Sequence, residues 1–232
     1  MKAVILCGGK GTRILEETKK IPKPMVKIGK IPIVLHIINI FLKHGVKDFI
    51  LAAGYKKEII KKYFKKKNKN FNISVIDTGK DSMTGGRILK LKPFLLNDEN
   101  FLMTYGDGLS SVNVKKLVKF HIQNKKIATI TAVRPVVRFG ELHIKNKMVT
   151  KYKEKPQARA GWINGGFFVL NKKIFNYIEN QKTIFEKEPL ETLSRKRELI
   201  SFKHYGFWQC MDTMREKIML NKIWKENKAP WK

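Results

Sequence analysis

Five short apolar runs, "KAVIL", "DFILAAG", "FNISVID", "NFLMTYGDG" and "IATITAV", divide the first 134 residues, with segments of helical period between several of them. Continuous apolar runs of this length suit strands of a parallel sheet that is covered on both faces. In "IPIVLHIINIFLKHG", Ile33, Ile37, Ile38, Phe41 and Leu42 keep helical spacing, with Pro32 near the start and Gly45 at the stop. "KKEIIKKYFKKK" reads as a basic amphipathic helix, and "NVKKLVKFHIQN" places Val114, Leu117, Val118 and Ile122 on one helical face. The alternation predicts an α/β fold built on a mixed, mostly parallel sheet flanked by helices.

After about residue 134 the rhythm changes. "GELHIKNKMVTKYKEKP" reads as a hairpin and "WINGGFFVLN" as a strand, while "KKIFNYI" and "PLETLSRK" read as helical. "ELISFKHYGFWQCMD" reads as extended segments. "TMREKIMLNKIWKENK" reads as a last helix, with Met214 and Ile218 on one side and Leu220 and Trp224 also four apart. No repeat and no Pro/Gly/Ser-rich linker interrupts the chain, so residues 1–232 are expected to form one domain. Its first part is 1–134 and a smaller α+β part is 135–232.

Hydrophobic residues make up 43% of the chain, enough for a sizeable core. No apolar run approaches the roughly 20 residues needed to cross a bilayer, and the opening "MKAVILCGG" is too short for a signal peptide's apolar region. A cytoplasmic protein without membrane contact is expected. The formal charge of +30 favours anionic partners. Lysine is spread over every element and no nucleic-acid motif is present, so no nucleic-acid partner is expected. Two cysteines, Cys7 and Cys210, form neither a disulfide framework nor a zinc pattern. The five histidines show no metal spacing.

The first apolar run empties into "LCGGKGTRILEET". Gly8, Gly9 and Gly11 permit close backbone approach, and successive N–H groups there can cup phosphate oxygens. Arg13 adds a planar fork for oxyanions. The spacing is neither the Gly-x-Gly-x-x-Gly fingerprint nor a P-loop, so the glycines alone leave a plain turn open. Lys23 lies between Pro22 and Pro24 in "IPKPM", where the prolines fix the local backbone for a lysine that could meet a phosphate. An ordinary surface lysine is the competing reading. Asp107 in "YGDG" is by itself only a turn residue, and "TGGR" by itself only a loop.

Taken in order, "CGGKGTRILEETKKIPKPM", "DTGKDSMTGGR", "FLMTYGDG", "EKP", "INGGFFVL", "EPLETL", "FWQCMDTMREK" and "KAPWK" resemble the sugar-phosphate nucleotidyltransferases, specifically their glucose-1-phosphate cytidylyltransferase branch. The segment "ILEET", where other branches favour a proline, supports that branch. The resemblance covers nearly the whole chain and implies a Rossmann-like sheet of the nucleotide-diphospho-sugar transferase type. It implies a transferase that joins CTP to α-D-glucose 1-phosphate, giving CDP-glucose and pyrophosphate, within deoxysugar or surface-polysaccharide (O-antigen) biosynthesis. The first part of the chain would then bind the nucleotide and the second the sugar phosphate.

Carried over residue by residue, the resemblance gives Lys23, Arg13, Asp107 and Asp212 the reaction itself. Asp107 and Asp212 would hold Mg²⁺, which suits hard carboxylate oxygens and nucleotide phosphates. Leu6, Cys7, Gly8, Gly9, Lys10, Gly11, Thr12, Ser82, Thr84, Gly85, Arg87 and Gly106 would bind the nucleotide. In "DSMTGGR", where Gly86 follows, small residues would let backbone groups reach the base edge. Gly140, Glu154, Lys155, Asn164 and Gly165 would bind the sugar phosphate, with Phe139 beside them. Trp162, Phe207 and Trp208 would either pack the pocket wall or belong to the aromatic core. No general base is needed, because the attacking phosphate is already ionised. A homo-oligomer is expected. The resembling enzymes usually carry a longer segment between Phe64 and Val75, where this chain has only "KKKNKNFNIS". That departure leaves open another base or sugar phosphate (UTP, dTTP or GTP in place of CTP). A non-catalytic nucleotide-sugar or nucleic-acid binder is the alternative of another class.

Overall fold

The computed structural model describes residues 1–65, 70–135, 141–153 and 161–232, with residues 141–144, 152 and 153 given by backbone alone. Strands are β1 Ala3–Cys7, β2 Lys27–Ile28, β3 Ile31–Pro32, β4 Asp48–Ala53, β5 Asn72–Asp77, β6 Asn100–Tyr105 and β7 Gly108–Ser110. They continue with β8 Ala128–Val133, β9 Glu141–Lys145, β10 Met148–Lys153, β11 Ile163–Asn171, β12 Leu199–His204 and β13 Trp208–Cys210. Helices are α1 Leu15–Thr18, α2 Ile33–Leu42, α3 Lys57–Phe64, α4 Thr84–Lys90, α5 Lys92–Leu95, α6 Val114–Asn124, α7 Glu188–Arg195 and α8 Met214–Lys225.

Seven strands form the central sheet in the order β12-β8-β11-β6-β1-β4-β5. All neighbours run parallel except at β11, which is antiparallel to both β6 and β8. The mixed, mostly parallel sheet expected from the apolar runs is therefore what the chain builds. β1 shows why such runs carry no polar residues. Ala3, Ile5 and Cys7 join the core on one face of the sheet, while Val4 and Leu6 join the core on the other. Every position along β1 is buried, and full burial of a branched aliphatic side chain is worth about 1.5–3 kcal/mol.

From β1 the chain crosses to β4 and β5 on one side and returns to β6 on the other. The order thus reverses at β1, and in an open sheet ligands bind at the carboxyl ends of strands beside such a reversal. The register sets Leu6 against Tyr105 and Cys7 against Ala53, so the loops after β1 and β6 emerge together. The Gly106 N–H donates to the Leu6 carbonyl at 3.0 Å, continuing that pairing into the loop.

Helix α2 occupies the segment expected, from Ile33 after Pro32 to Leu42, and Gly45 closes it with φ 86°. Helix α6 is turned slightly from expectation. Val114 and Leu117 are buried but Ile122 is exposed, and His121 is buried in its place between Thr129 Oγ1 (2.8 Å) and Asn100 Oδ1 (3.0 Å). The α6 hydrogen bonds to the sheet decide the face that faces inward, which hydropathy alone misassigns. On α8 the Leu220 side faces inward: Leu220 is buried while Ile218 is exposed. "KKIFNYI" forms a 3₁₀ turn, Lys172–Tyr177.

The tail "KAPWK" is part of the core. Trp231 is buried, 5.2 Å from the Phe207 ring centroid and 6.5 Å from that of Trp224. Its Nε1–H donates to His36 Nδ1 at 3.3 Å, and His36 Nε2–H donates to the Ile28 carbonyl at 2.9 Å. This pairing fixes His36 as the neutral tautomer protonated on Nε2. Burial lowers its pKa, the Ile28 bond opposes that, and Lys232 lowers it further, so the net direction is down.

Two outcomes are expected. Trp231→Ala should cost about 3–5 kcal/mol of stability in denaturant unfolding, as for large buried aromatics generally. The unfolded His36 takes a proton near pH 6.5 while the folded one resists it, so stability should fall as pH drops below about 6.5. Burial lowers His44, His121 and His204 in the same direction, so His36→Gln should reduce that slope without abolishing it; an unchanged slope between pH 7.5 and 5 would exclude the arrangement.

Candidate active site

A cleft of about 580 Å³ opens at the carboxyl ends of β1 and β6, a size that suits a nucleotide-scale ligand. Its floor is the glycine loop after β1. Gly8 leaves room for the Arg87 guanidinium: a Cβ there would lie 2.0 Å from Arg87 Nη1 and would have to displace it from its bonds to Gly8, Thr78 and Gly79. Gly11 takes the left-handed conformation, φ 65°, and its carbonyl accepts from Thr18 Oγ1 at 3.0 Å. Gly9 has open space around it and faces the cleft.

Lys23 is not a surface lysine. It begins a 3₁₀ turn after Pro22, is only 9% exposed, and its ammonium donates to both Asp107 Oδ2 and Asp212 Oδ1, the latter at 2.5 Å. Burial alone would lower its pKa, but the two carboxylates outweigh burial and hold it above the ordinary value. Asp212 shows the counterpart. Burial would raise its pKa, while Lys23 first and then Arg13 hold it below the usual carboxylate range. Arg13 is largely exposed and places Nη1 2.8 Å from Asp212 Oδ2.

Two carboxylates from distant parts of the chain meet because β7 and β13 pair antiparallel, with Gly108 against Cys210. The Met211 N–H then donates to the Asp107 carbonyl at 2.9 Å, setting the two aspartates side by side. Glu216 holds Asp212 from behind. Its Oε2 accepts from the N–H groups of Asp212 and Thr213, each at 2.7 Å, closing the capping box that starts α8.

Arg87 is buried, and its guanidinium donates to the carbonyls of Gly79 (2.7 Å) and Gly8 (2.9 Å) and to Thr78 Oγ1 (2.9 Å). It ties the glycine loop to the segment after β5. "TGGR" is not a loop: it opens helix α4. Its glycines admit the chain at 181–183. A Cβ on Gly86 would lie 2.2 Å from the Gln181 carbonyl oxygen, and the N–H groups of Gly85 and Gly86 both donate to the Thr183 carbonyl. Backbone N–H groups expected to read a base are thus already bonded within the protein. Gly85 does not line the cleft, and Lys10 turns outward toward Asp81, 3.4 Å away.

Of the other expected residues, Leu6, Cys7, Thr12, Ser82, Thr84, Gly106, Asn164 and Gly165 line the cleft together with Gly8, Gly9, Gly11, Arg13, Lys23, Arg87, Asp107 and Asp212. Gly140, Glu154 and Lys155 lie outside the described residues, as does Phe139. The three aromatics separate. Trp208 lines the cleft and its Nε1–H donates to the Gly165 carbonyl at 2.7 Å, Phe207 packs on Trp231, and Trp162 packs on Tyr205. Sequence reasoning missed Tyr105 and Glu186. Tyr105 OH and Thr84 Oγ1 both donate to the Glu186 carboxylate in the cleft wall.

Among the described residues no cluster of three or more His, Cys, Asp or Glu could enclose a metal by itself. The Asp107–Asp212 pair nevertheless fits a divalent ion: both donors are hard oxygens, both border the cleft, and the Lys23 ammonium already stands between them as a cation. The remaining positions would fall to phosphate oxygens and water. No helix among the described residues is long and apolar enough to cross a membrane.

A model of the nucleotidyl transferase family matches residues 2–213. The chain is 45% identical to the glucose-1-phosphate cytidylyltransferases of Salmonella typhimurium and Salmonella typhi, with 100% of this chain and 99% of each relative covered. Those alignments run over 254 positions against the 232 of this chain, so the relatives carry residues that it lacks. Among solved structures, HddC from Yersinia pseudotuberculosis superposes with a TM-score of 0.74 at 26% identity, over 96% of this chain and 99% of that one. A UDP-glucose pyrophosphorylase superposes with a TM-score of 0.76 at 17% identity, over 97% and 98%, which shows the shared fold. With its sheet reversal, its glycine loop and its lysine between two aspartates, the chain belongs to the nucleotidyl transferase family, in the glucose-1-phosphate cytidylyltransferase branch.

Proposed function

We propose that this chain transfers a cytidylyl group from CTP to α-D-glucose 1-phosphate, releasing pyrophosphate and forming CDP-glucose, at the cleft beside β1. The observation that carries this reading is the Lys23 ammonium between the Asp107 and Asp212 carboxylates at the mouth of a glycine loop. The full-length 45% identity to glucose-1-phosphate cytidylyltransferases supports the base and the sugar.

Phosphoryl transfer needs little covalent help from a protein and much positioning and charge balance. The open Gly9 and the adjoining Thr12 receive the triphosphate, and the exposed Arg13 turns from Asp212 to the pyrophosphate end. Lys23 swings from the carboxylates to the α-phosphate, where its charge opposes the charge that builds as the bond to pyrophosphate breaks. Asp107 and Asp212, once freed from the lysine, would hold a divalent ion, which we take to be Mg²⁺. The chemistry such an ion would supply, when held there, is neutralisation of phosphate charge. The sugar phosphate attacks directly. Cys210 is a poor competitor as nucleophile: burial first, then Asp212 and Asp107, push its thiol pKa up to about 12.

The other readings differ in outcome. A guanylyl transfer gains support from the 33% identity to a D-glycero-alpha-D-manno-heptose 1-phosphate guanylyltransferase of Aneurinibacillus thermoaerophilus. A non-catalytic binder has no use for a paired metal site. Pyrophosphate release measured with CTP, UTP, dTTP and GTP against a panel of sugar 1-phosphates should be fastest with CTP and glucose 1-phosphate. A preference for another nucleotide would overturn the assignment. Lys23→Ala should lower kcat/KM by at least about 100-fold in a protein with unchanged circular dichroism, the scale of losing one preorganised charge. Asp107→Asn should weaken the metal dependence and the rate together, and an unchanged Mg²⁺ titration would remove it from the metal site.

A further inference from the structure

The cleft wall holds a hydrogen-bond network whose direction is fixed by its donors. Asn164 Oδ1 accepts from the Gly166 N–H at 2.8 Å, so its Nδ2 is the end that donates to Tyr105 OH at 3.3 Å. Tyr105 OH in turn donates to Glu186 Oε1, and Thr84 Oγ1 donates to Glu186 Oε2. Thr84 Oγ1 accepts from the Phe185 N–H at 2.9 Å, which orients its hydroxyl hydrogen toward Glu186. Every donor chain ends on this one carboxylate.

The valence count leaves groups to spare. A carboxylate offers about four acceptor positions, and two are engaged here; the Asn164 amide has two N–H donors, and one is engaged. Glu186 and Asn164 both line the cleft. A free acceptor beside a free donor is the complement of neighbouring hydroxyl groups. The place is also right. Tyr105 is two residues from Asp107, at most about 7 Å along the chain, and the ring of a hexose 1-phosphate begins one bond from its phosphate oxygen. The site is rigid on its far side, because the chain leading to Glu186 packs on Gly85 and Gly86 through the Gln181 and Thr183 carbonyls.

We propose that Glu186 is a sugar-specificity residue, accepting a hydrogen bond from a hydroxyl of the hexose while Tyr105 and Thr84 hold its carboxylate in place. This rests on the transfer to a hexose 1-phosphate proposed above. A glutamine at 186 would present an NH₂ to one of two groups that now donate to it, so Glu186→Gln keeps the shape, turns one of the two acceptor oxygens into a donor and removes the charge.

The test is equilibrium binding of CDP-glucose and of CDP, by calorimetry, to the wild type and to Glu186→Gln, with thermal unfolding as the check on folding. The affinity ratio of the two ligands isolates the hexosyl contacts. Glu186→Gln should weaken CDP-glucose by about 10–100-fold, the range for a hydrogen bond to a charged group, and leave CDP within about twofold. Equal losses for both ligands, or no loss, would overturn the proposal. The wild type alone gives a second reading that needs no variant. One monodeoxy form of CDP-glucose should lose comparable affinity against the wild type, and should lose little more when Glu186→Gln is used. If every monodeoxy form binds the wild type as well as CDP-glucose, no hydroxyl meets Glu186 and the proposal fails. Failure of both CDP and CDP-glucose to bind the wild type would instead overturn the cytidylyl reading itself.

Discussion

The Lys23 ammonium held between Asp107 and Asp212 is the interaction on which the cleft depends. Removing the lysine would leave two carboxylates side by side, partly buried and repelling; removing either aspartate would leave a buried cation with half its compensation. Breaking such a buried group is far costlier than its net contribution to stability suggests. Its geometry also requires the larger architecture. The short β7–β13 pairing brings Asp212 to Asp107, the proline-flanked turn presents Lys23, and the capping box of α8 fixes the backbone at Asp212. The central sheet brings those loops together because the strand order reverses at β1.

The same interaction explains how a strongly basic protein keeps its site responsive to anionic substrates. In this structure the protein's own cations occupy its carboxylates: Lys23 on both, Arg13 on Asp212. In the proposed reaction a metal–nucleotide complex would bring positive charge for the carboxylates and negative charge for Lys23 and Arg13 together. Such an exchange would conserve the pairing, so that neither charge would stand unpaired in the cleft. Groups that could divert the chemistry are held inert. Burial, and then Asp107, raise the Cys7 thiol far above neutral pH. Burial and Glu186 likewise keep Tyr105 protonated.

Much of this was legible from the chain. The continuous apolar runs announced a sheet covered on both faces, and the prolines around Lys23 marked it as a candidate while leaving an ordinary surface lysine open. What was not legible is non-local. Nothing near Asp107 or Asp212 signals that they meet, since the pairing arises from two three-residue strands; only resemblance joined them. "TGGR" reads as a loop because two glycines weaken a helix, yet here they let residues 181–183 pass against α4. Glu186 stands in a charged stretch, "FEKEPLE", indistinguishable by composition from a solvated helix start. Its importance lies in donors that come from Thr84 and from Tyr105. Helix α6 shows the same limit on a smaller scale, where hydrogen bonds to His121 override the apolar periodicity at Ile122.

In the proposed reaction the sugar phosphate attacks the α-phosphorus of the nucleotide in a single displacement while Lys23 and the aspartate pair balance charge, with no covalent enzyme intermediate. The most direct measurement uses CTP made chiral at the α-phosphorus by sulfur substitution and determines the configuration of the nucleotide sugar formed. One in-line attack predicts inversion. Retention would mean two successive displacements through a group on the protein, and would contradict the account.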